Sequence, residues 1–195
     1  EEEIIAQKIH FKKLAAKQAP AKNKAPKKKT LQKGGRTPED ELLGFTVPKG
    51  FKVELVASEA QGIINPITVT WDHQGRMWTM ISSEYPIDAN INEAFAEGKY
   101  KNGGKDKVLV FDNPYGKGPH TPRVFADGLV IPLGLMPIND GALVQYGHDI
   151  RYYYDRDQDG KAEGFETVLT GFGVQDSHLF PHQFTRTPGG WIYLA

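Results

Sequence analysis

The sequence predicts an all-β fold, and among all-β folds a β-propeller. From Phe51 onward, short alternating apolar and polar runs are separated by clusters of Gly, Pro, Asn and Asp, which is typical of a sandwich, barrel or propeller. Residues 107–129 and 150–172 share one pattern of aromatic strand, Gly/Lys loop and second strand, with Asp112 and Asp155 lying 43 residues apart. A period of about 40–45 residues with four strands per unit favours the propeller.

The composition sets limits on the chemistry. The chain has 195 residues, of which 39% are hydrophobic, enough for a core of one domain. It has no apolar run long enough to predict a transmembrane helix. Cysteine is absent, which excludes disulfides, thiolate metal sites, cysteine nucleophiles and covalently attached haem within these residues.

Residues 1–37 form a basic arm rich in Lys, Ala and Pro. Up to Pro38 the chain has ten Lys and Arg36 against three Glu, so an acidic body must follow because the net charge is zero. Such a composition predicts a flexible linker. The arm would either contact an anionic surface or act as a solvated tether. Phe11 is its one aromatic residue, so we expect no nucleic-acid binding.

The body, residues 38–195, begins with a helix signal over 37–45, where Thr37 can cap and Pro38 suits the first helical position. We expect no helix longer than two or three turns after it. A further repeat relates 67–80 to 182–195, and Trp71, Trp78 and Trp191 are expected in the core. The predicted strands are 51–57, 67–72, 76–81, 107–112, 123–129, 142–147, 150–155, 166–172, 183–187 and 191–195.

An acidic loop follows the strand at 150–155. The stretch from Asp155 to Glu166 satisfies the EF-hand pattern, but its flanks are β-branched and aromatic, whereas an EF-hand needs a helix on each side. We therefore predict a loop between strands, with Glu166 inside the second one.

Alternating aspartates in a Gly-containing turn still offer oxygens to a hard cation. The predicted calcium ligands are Asp155, Asp157, Asp159, the Lys161 carbonyl and Glu163. The alternative is an Asp-rich turn that forms without metal. The equivalent loop, Asp112 to Gly118, lacks these carboxylates and is predicted to bind nothing.

Several motifs occur together and in order. They include "FTVPKGFKVELVAS", "NPITVTWDHQGRMWTM", "GGKDKVLVFD", "DRDQDGKAEGFETVLTGFG", "QDSH" and "PGGWIYLA". Over residues 38–195 this combination resembles the N-terminal propeller of the membrane-bound dehydrogenase family of Planctomycetes and Verrucomicrobia. That propeller is similar to soluble quinoprotein glucose and sorbosone dehydrogenases. The resemblance implies a six-bladed propeller in the full protein, of which residues 51–195 supply about three blades.

The resemblance also implies a quinone cofactor such as PQQ and a histidine general base. The candidate catalytic residues are His178 and His182. Leu179 stands where the resemblance places the second of two adjacent histidines. The alternative is that both histidines are structural. His148 and Asp149 precede the strand at 150, where they would face the channel or solvent.

Three functions are consistent with these expectations. The first is a quinone-dependent sugar or polyol dehydrogenase of the cell envelope or periplasm, which passes electrons to a cytochrome domain or partner protein. The second is a calcium-stabilised propeller that binds glycans or protein without catalysis. The third is a subunit of a larger redox complex, tethered by the basic arm.

Overall fold

The computed structural model describes residues 36–195 and divides the chain into two compact units, of which the second begins at Glu54. In the described part of the first unit, helix α1 spans Pro38–Leu42. The Thr37 side chain accepts a hydrogen bond from the Asp40 amide at 3.1 Å, so the predicted cap is confirmed. The arm prediction concerns residues that, apart from Arg36 and Thr37, lie outside the described range.

The second unit consists mainly of antiparallel strands, which confirms the all-β prediction. Sheet 1 has the order β1-β2-β3-β4, sheet 2 the order β5-β6-β7-β8, and β9 pairs with β10 in a separate hairpin. The strands are β1 Pro66–Trp71, β2 Met77–Ile81, β3 Asp106–Phe111, β4 Arg123–Leu129, β5 Leu135–Ile138, β6 Gly141–Tyr146, β7 Asp149–Tyr154, β8 Gly164–Thr170, β9 Phe184–Arg186 and β10 Ile192–Leu194.

The two segments of the predicted repeat form the same pair of strands in sheet 1 and in sheet 2. Residues 107–129 contain β3 and β4, and residues 150–172 contain β7 and β8, which are the third and fourth strands of their sheets. Each sheet is therefore a meander in which consecutive strands are neighbours, and the repeated unit is one four-stranded sheet.

One predicted strand is wrong and one strand was not predicted. Residues 51–57 alternate in sequence but form no strand. The Val56 carbonyl accepts one bond from the His120 amide at 2.6 Å, and no ladder follows, because a strand needs a neighbouring strand as well as a pattern. Strand β5 contains Pro137 and lacks alternation.

The core lies between sheets 1 and 2. Buried side chains from both sheets form one cluster, in which Trp78 packs edge-on against Phe125 with ring centroids 4.8 Å apart. Trp78 is buried as expected, but Trp71 and Trp191 are 54% and 74% exposed. The expectation for those two is wrong, because Trp71 lies on an edge strand and Trp191 precedes the last hairpin strand.

The connection from β4 to β5 is held by two buried polar side chains. Asp106 accepts bonds from the Ser83 amide at 2.7 Å and the Ile131 amide at 2.9 Å. Ile131 has a φ of 45°, which is unusual for a β-branched residue. Gln145 accepts from the Leu133 amide at 3.0 Å. These bonds fix the path of the chain between the sheets.

Helix α2, Ala89–Asn102, interrupts sheet 1 between β2 and β3 and is broken at Asn92, which has non-helical dihedral angles. Its 14 residues exceed the expected two or three turns, although about three continuous turns follow the break. Ala96 and Tyr100 are its buried residues, one turn apart on the same face. The amides of Ala89 and Asn90 donate to the Val174 and Gln175 carbonyls.

Antiparallel topology gives sheets 1 and 2 two distinct ends. The turn end contains the β1–β2, β3–β4, β5–β6 and β7–β8 connections, and the crossover end contains α2 and the β4–β5, β6–β7 and β8–β9 connections. Across residues 36–195, no helix has the length and apolar character needed to span a membrane.

Candidate functional site

The acidic loop lies at the turn end between β7 and β8, so the prediction of a loop joining two strands is confirmed. Glu166 lies within β8, as predicted, and pairs with Arg156 at 2.8 Å. Carboxylate oxygens of Asp155, Asp157 and Asp159 lie within 4.8 Å of one another. The structure thus brings together three of the five predicted ligands.

Backbone amides hold each of these carboxylates. Gly160, at a φ of 92°, donates to Asp155 at 3.0 Å. The Asp159 and Lys161 amides donate to Asp157 and Asp159 at 3.2 and 2.8 Å. Glu163 accepts from the Asp157 amide at 2.9 Å and is thereby drawn toward the start of the loop. The turn is therefore closed by its own hydrogen bonds.

Asp155 differs from its neighbours in burial. Its Oδ1 atom is buried and has no hydrogen-bond partner among residues 36–195. Burial raises the pKa of Asp155, and the nearby Asp159 and Asp157 carboxylates raise it further against the opposing effect of the Gly160 amide. The loop therefore concentrates negative charge around an oxygen that lacks a donor.

The loop is bonded to sheet 1. The Arg123 guanidinium donates to Asp112 at 3.1 Å and also to the Gly160 carbonyl. The Ala162 amide donates to the Phe125 carbonyl at 2.7 Å. The equivalent loop of sheet 1, residues 112–118, has one carboxylate, Asp112, which forms an ion pair with Arg123.

The candidate base lies at the crossover end, in a short 3₁₀ helix at Ser177–Leu179. Asp176 accepts from the His178 amide at 2.9 Å, and its Oδ1 lies 2.8 Å from His178 Nδ1. The bonds from the His178 amide and ring hold the pKa of Asp176 below its usual range, which keeps it ionised at neutral pH. An ionised partner makes His178 Nδ1 the donor, which leaves Nε2 without a bond to Asp176.

His178 is accessible, with a side chain 65% exposed. The Tyr85 ring contacts it edge-on at 5.4 Å between centroids. Asp88 accepts from the Ser177 amide at 2.6 Å, and Asp88, Asp176 and His178 bring ligand atoms within 4.8 Å of one another. An oriented histidine next to two carboxylates can accept a proton from a bound hydroxyl group.

His182 is placed differently. Its Nδ1 lies 2.8 Å from the Phe180 carbonyl, and its amide donates to the carbonyl of Ala195 at 2.9 Å. No carboxylate in the described range bonds its ring. Leu179 is 79% exposed and supplies no proton-transferring group.

A comparison with known protein families matches the region that contains both the acidic loop and His178. The family model described as a domain of unknown function, DUF7133, matches residues 37–195. The chain belongs to the DUF7133 family. No curated protein matches the chain significantly.

Within the DUF7133 region, sequence reasoning did not identify Asp88, Tyr85 or the partner of His148. His148 Nδ1 lies 2.7 Å from the Phe172 carbonyl and Nε2 lies 3.0 Å from Glu97 of helix α2. Asp88 stands just before α2, where an N-cap signal is visible, but its carboxylate bonds Ser177 instead of the helix. No local pattern indicates a partner 89 positions away.

Proposed function

We propose that this DUF7133 chain is part of a β-propeller whose crossover end binds a hydroxyl-bearing substrate, a sugar or polyol, with His178 as general base. The propeller is supported by two consecutive four-stranded meanders followed by a hairpin. It is supported further by the spacing of 43 residues between Asp112 and Asp155.

The observation that carries the proposal is the bond between Asp176 and His178. Asp176 orients the ring and stabilises the imidazolium that forms when Nε2 takes a proton from the substrate hydroxyl. The exposure of His178 leaves Nε2 accessible to a substrate. The Tyr85 ring, packed edge-on, limits how the imidazole tilts.

The dehydrogenase resemblance would supply PQQ as the acceptor of the substrate's hydride. The residues around His178 do not fit that group, because its three carboxylates would meet Asp88 and Asp176, and neither aspartate forms an ion pair with Arg or Lys in residues 36–195. We therefore assign to these residues only the proton-accepting step. A cytochrome partner and a cell-envelope location rest on the resemblance alone, and anionic-surface contact rests on the charge of the arm.

The test compares two histidine variants of the full-length protein. Turnover is measured with sugars, polyols and an artificial electron acceptor, with and without added PQQ. His178→Gln should lower turnover by about 10²–10⁴-fold, the usual contribution of a general base, with little change in melting temperature because the side chain is exposed. His182→Gln is the matched control, since its ring is bonded to a main-chain carbonyl, and it should retain most of the activity.

Two results would contradict the assignment of His178. The first is full activity in His178→Gln with a lowered melting temperature, which would make this histidine structural. The second is the absence of turnover in the wild type with every substrate, which would favour a binding module.

A second candidate function, a calcium-stabilised binding module, is favoured by the unpartnered Asp155 oxygen. A cation there would satisfy Asp155 and offset the repulsion within the cluster. Binding to the folded state alone would stabilise it by RT ln(1 + [L]/Kd), about 2.7 kcal/mol at 100 times Kd.

Asp157→Ala should abolish any calcium-dependent rise in melting temperature, while Asp112→Ala, at the equivalent loop, should leave that rise unchanged. A wild-type protein whose melting temperature is identical in calcium and in chelator would show that the loop is only a turn.

A further inference from the structure

A cleft of about 640 Å³ opens at the turn end between sheets 1 and 2. Its walls come from the β1–β2 turn, the β5–β6 turn, the loop after β7 and the end of β9. Small-molecule sites span ~300–1,000 Å³, so the cleft is large enough for a ligand. It lies at the opposite end of the sheets from His178.

An indole side chain forms part of the cleft lining. Trp71, the last residue of β1, lines the cleft and is 54% exposed. Trp78 also lines it but is only 3% exposed, and its Nε1 donates to Asp72 at 2.8 Å. Trp71 is thus the accessible aromatic surface, and Trp78 is fixed in the core.

The charged lining is balanced. Three arginines and three aspartates take part: Arg76, Arg123, Arg186, Asp72, Asp140 and Asp155. Arg76 is paired with Asp72 at 2.6 Å. A lining without excess charge disfavours a polyanion such as nucleic acid.

The cleft also contains uncommitted hydrogen-bonding groups. Within residues 36–195, Arg186 has no ion pair or side-chain hydrogen bond. Gln74, Asn139 and Gln158 contribute planar amides from three different connections. Amide and guanidinium groups offer donors and acceptors in fixed planes, which suits adjacent hydroxyl groups.

We propose that this cleft binds a neutral pyranose ring of an oligosaccharide. The C–H face of the sugar packs against the Trp71 indole, because an indole presents a large apolar face with little conformational freedom. Arg186 and the amides bond the hydroxyl groups. The inference goes beyond the proposed function, because it assigns a second, non-catalytic sugar site and is independent of His178.

Tryptophan fluorescence tests the proposal, because the described chain has one tryptophan in the cleft that is accessible and one outside it. The full-length protein is titrated with neutral hexasaccharides of glucose, xylose and N-acetylglucosamine. At least one should change the emission of the wild type. Trp71→Ala, measured by titration calorimetry beside the wild type because it lacks the reporting indole, should weaken that binding by about tenfold or more, and Arg186→Ala by a smaller factor.

Trp191→Ala is the matched control, because Trp191 is 74% exposed and does not line the cleft. It should bind as the wild type does, and the proposed catalytic site is tested separately, by the turnover of His178→Gln. Binding lost in Trp191→Ala but retained in Trp71→Ala would overturn the proposal. So would the absence of binding to every neutral hexasaccharide at millimolar concentration.

Discussion

The two ends of the paired sheets are held by different kinds of hydrogen bond. At the turn end, Asp72 accepts from amides two and four positions away, and Asp155 from one five positions away. At the crossover end, Asp106 reaches Ile131, 25 positions away, and Asp88 reaches Ser177, 89 positions away. Asp72 and Asp155 thus fold local turns at one end, whereas Asp106 and Asp88 connect distant segments at the other, where Asp176 also closes a local turn with His178.

Because of this difference, the two ends depend on different parts of the chain in order to form. A turn closed by its own side chains forms once its hairpin does. The surroundings of His178 exist only after α2 and the β8–β9 connection have met. The internal bonds of the acidic loop should therefore form with the β7–β8 hairpin, whereas the candidate base depends on segments that are far apart in the sequence.

Strand β3 permits a direct comparison, because it has an aspartate near each end. Asp106 is fully buried and accepts three bonds, two from Ser83 and one from Ile131. Asp106→Ala should cost about 3 kcal/mol or more of unfolding free energy, because buried donors lose their partner. Asp112 is 59% exposed in its pair with Arg123, so Asp112→Ala should cost less than about 1 kcal/mol. Equal losses of unfolding free energy in the two variants, measured by urea denaturation, would refute the contrast between the ends.

Replacing Asp155 in the acidic loop should change the stability less than replacing Asp106, and in the opposite direction. A raised pKa means that folded Asp155 holds its proton more tightly than the unfolded chain does, so stability is lost as the pH rises through the folded pKa. At neutral pH without calcium, Asp155→Asn should therefore raise the melting temperature, by about 2 °C. The same variant should lose any gain from calcium. A lower melting temperature in chelator would show that the charge stabilises the loop.

The smallest effect concerns His148 at the crossover end, where both ring nitrogens face acceptor oxygens. Burial alone would lower the pKa of His148, but the bonds to Glu97 and the Phe172 carbonyl raise it. The bonds of protonated His148 stabilise the folded state fully below about pH 6.5, which is the pKa of histidine in the unfolded chain. This stabilisation is lost as the pH rises through the pKa of His148 in the folded state. It should be less than about 1 kcal/mol because the pair is partly exposed.

Glu97→Gln should lower the pKa of His148 measured by NMR, and His148→Gln should remove this part of the pH dependence of stability. An unchanged His148 titration in Glu97→Gln would show that the ion pair is not formed in solution.

The separation of hydrogen-bonded residues along the chain also explains what the sequence could predict. The acidic loop and the Asp176–His178 bond use neighbouring residues, so their spacing is visible in the sequence. Asp88 and Glu97 act on residues far along the chain, and no spacing indicates them. Helix α2 escaped notice because its two buried residues, Ala96 and Tyr100, leave no apolar stripe. The segment 51–57 shows the converse, since it has the alternation of a strand but no partner.

The bond from the Ala162 amide to the Phe125 carbonyl has a consequence for cooperativity. It crosses from the β7–β8 loop of sheet 2 to strand β4 of sheet 1, so this amide is freed when the loop and β4 separate. Its hydrogen exchange should therefore report the separation of the two sheets at this end. Among the backbone amides of the turn end, Ala162 is therefore a reporter of whether neighbouring sheets unfold together or one at a time.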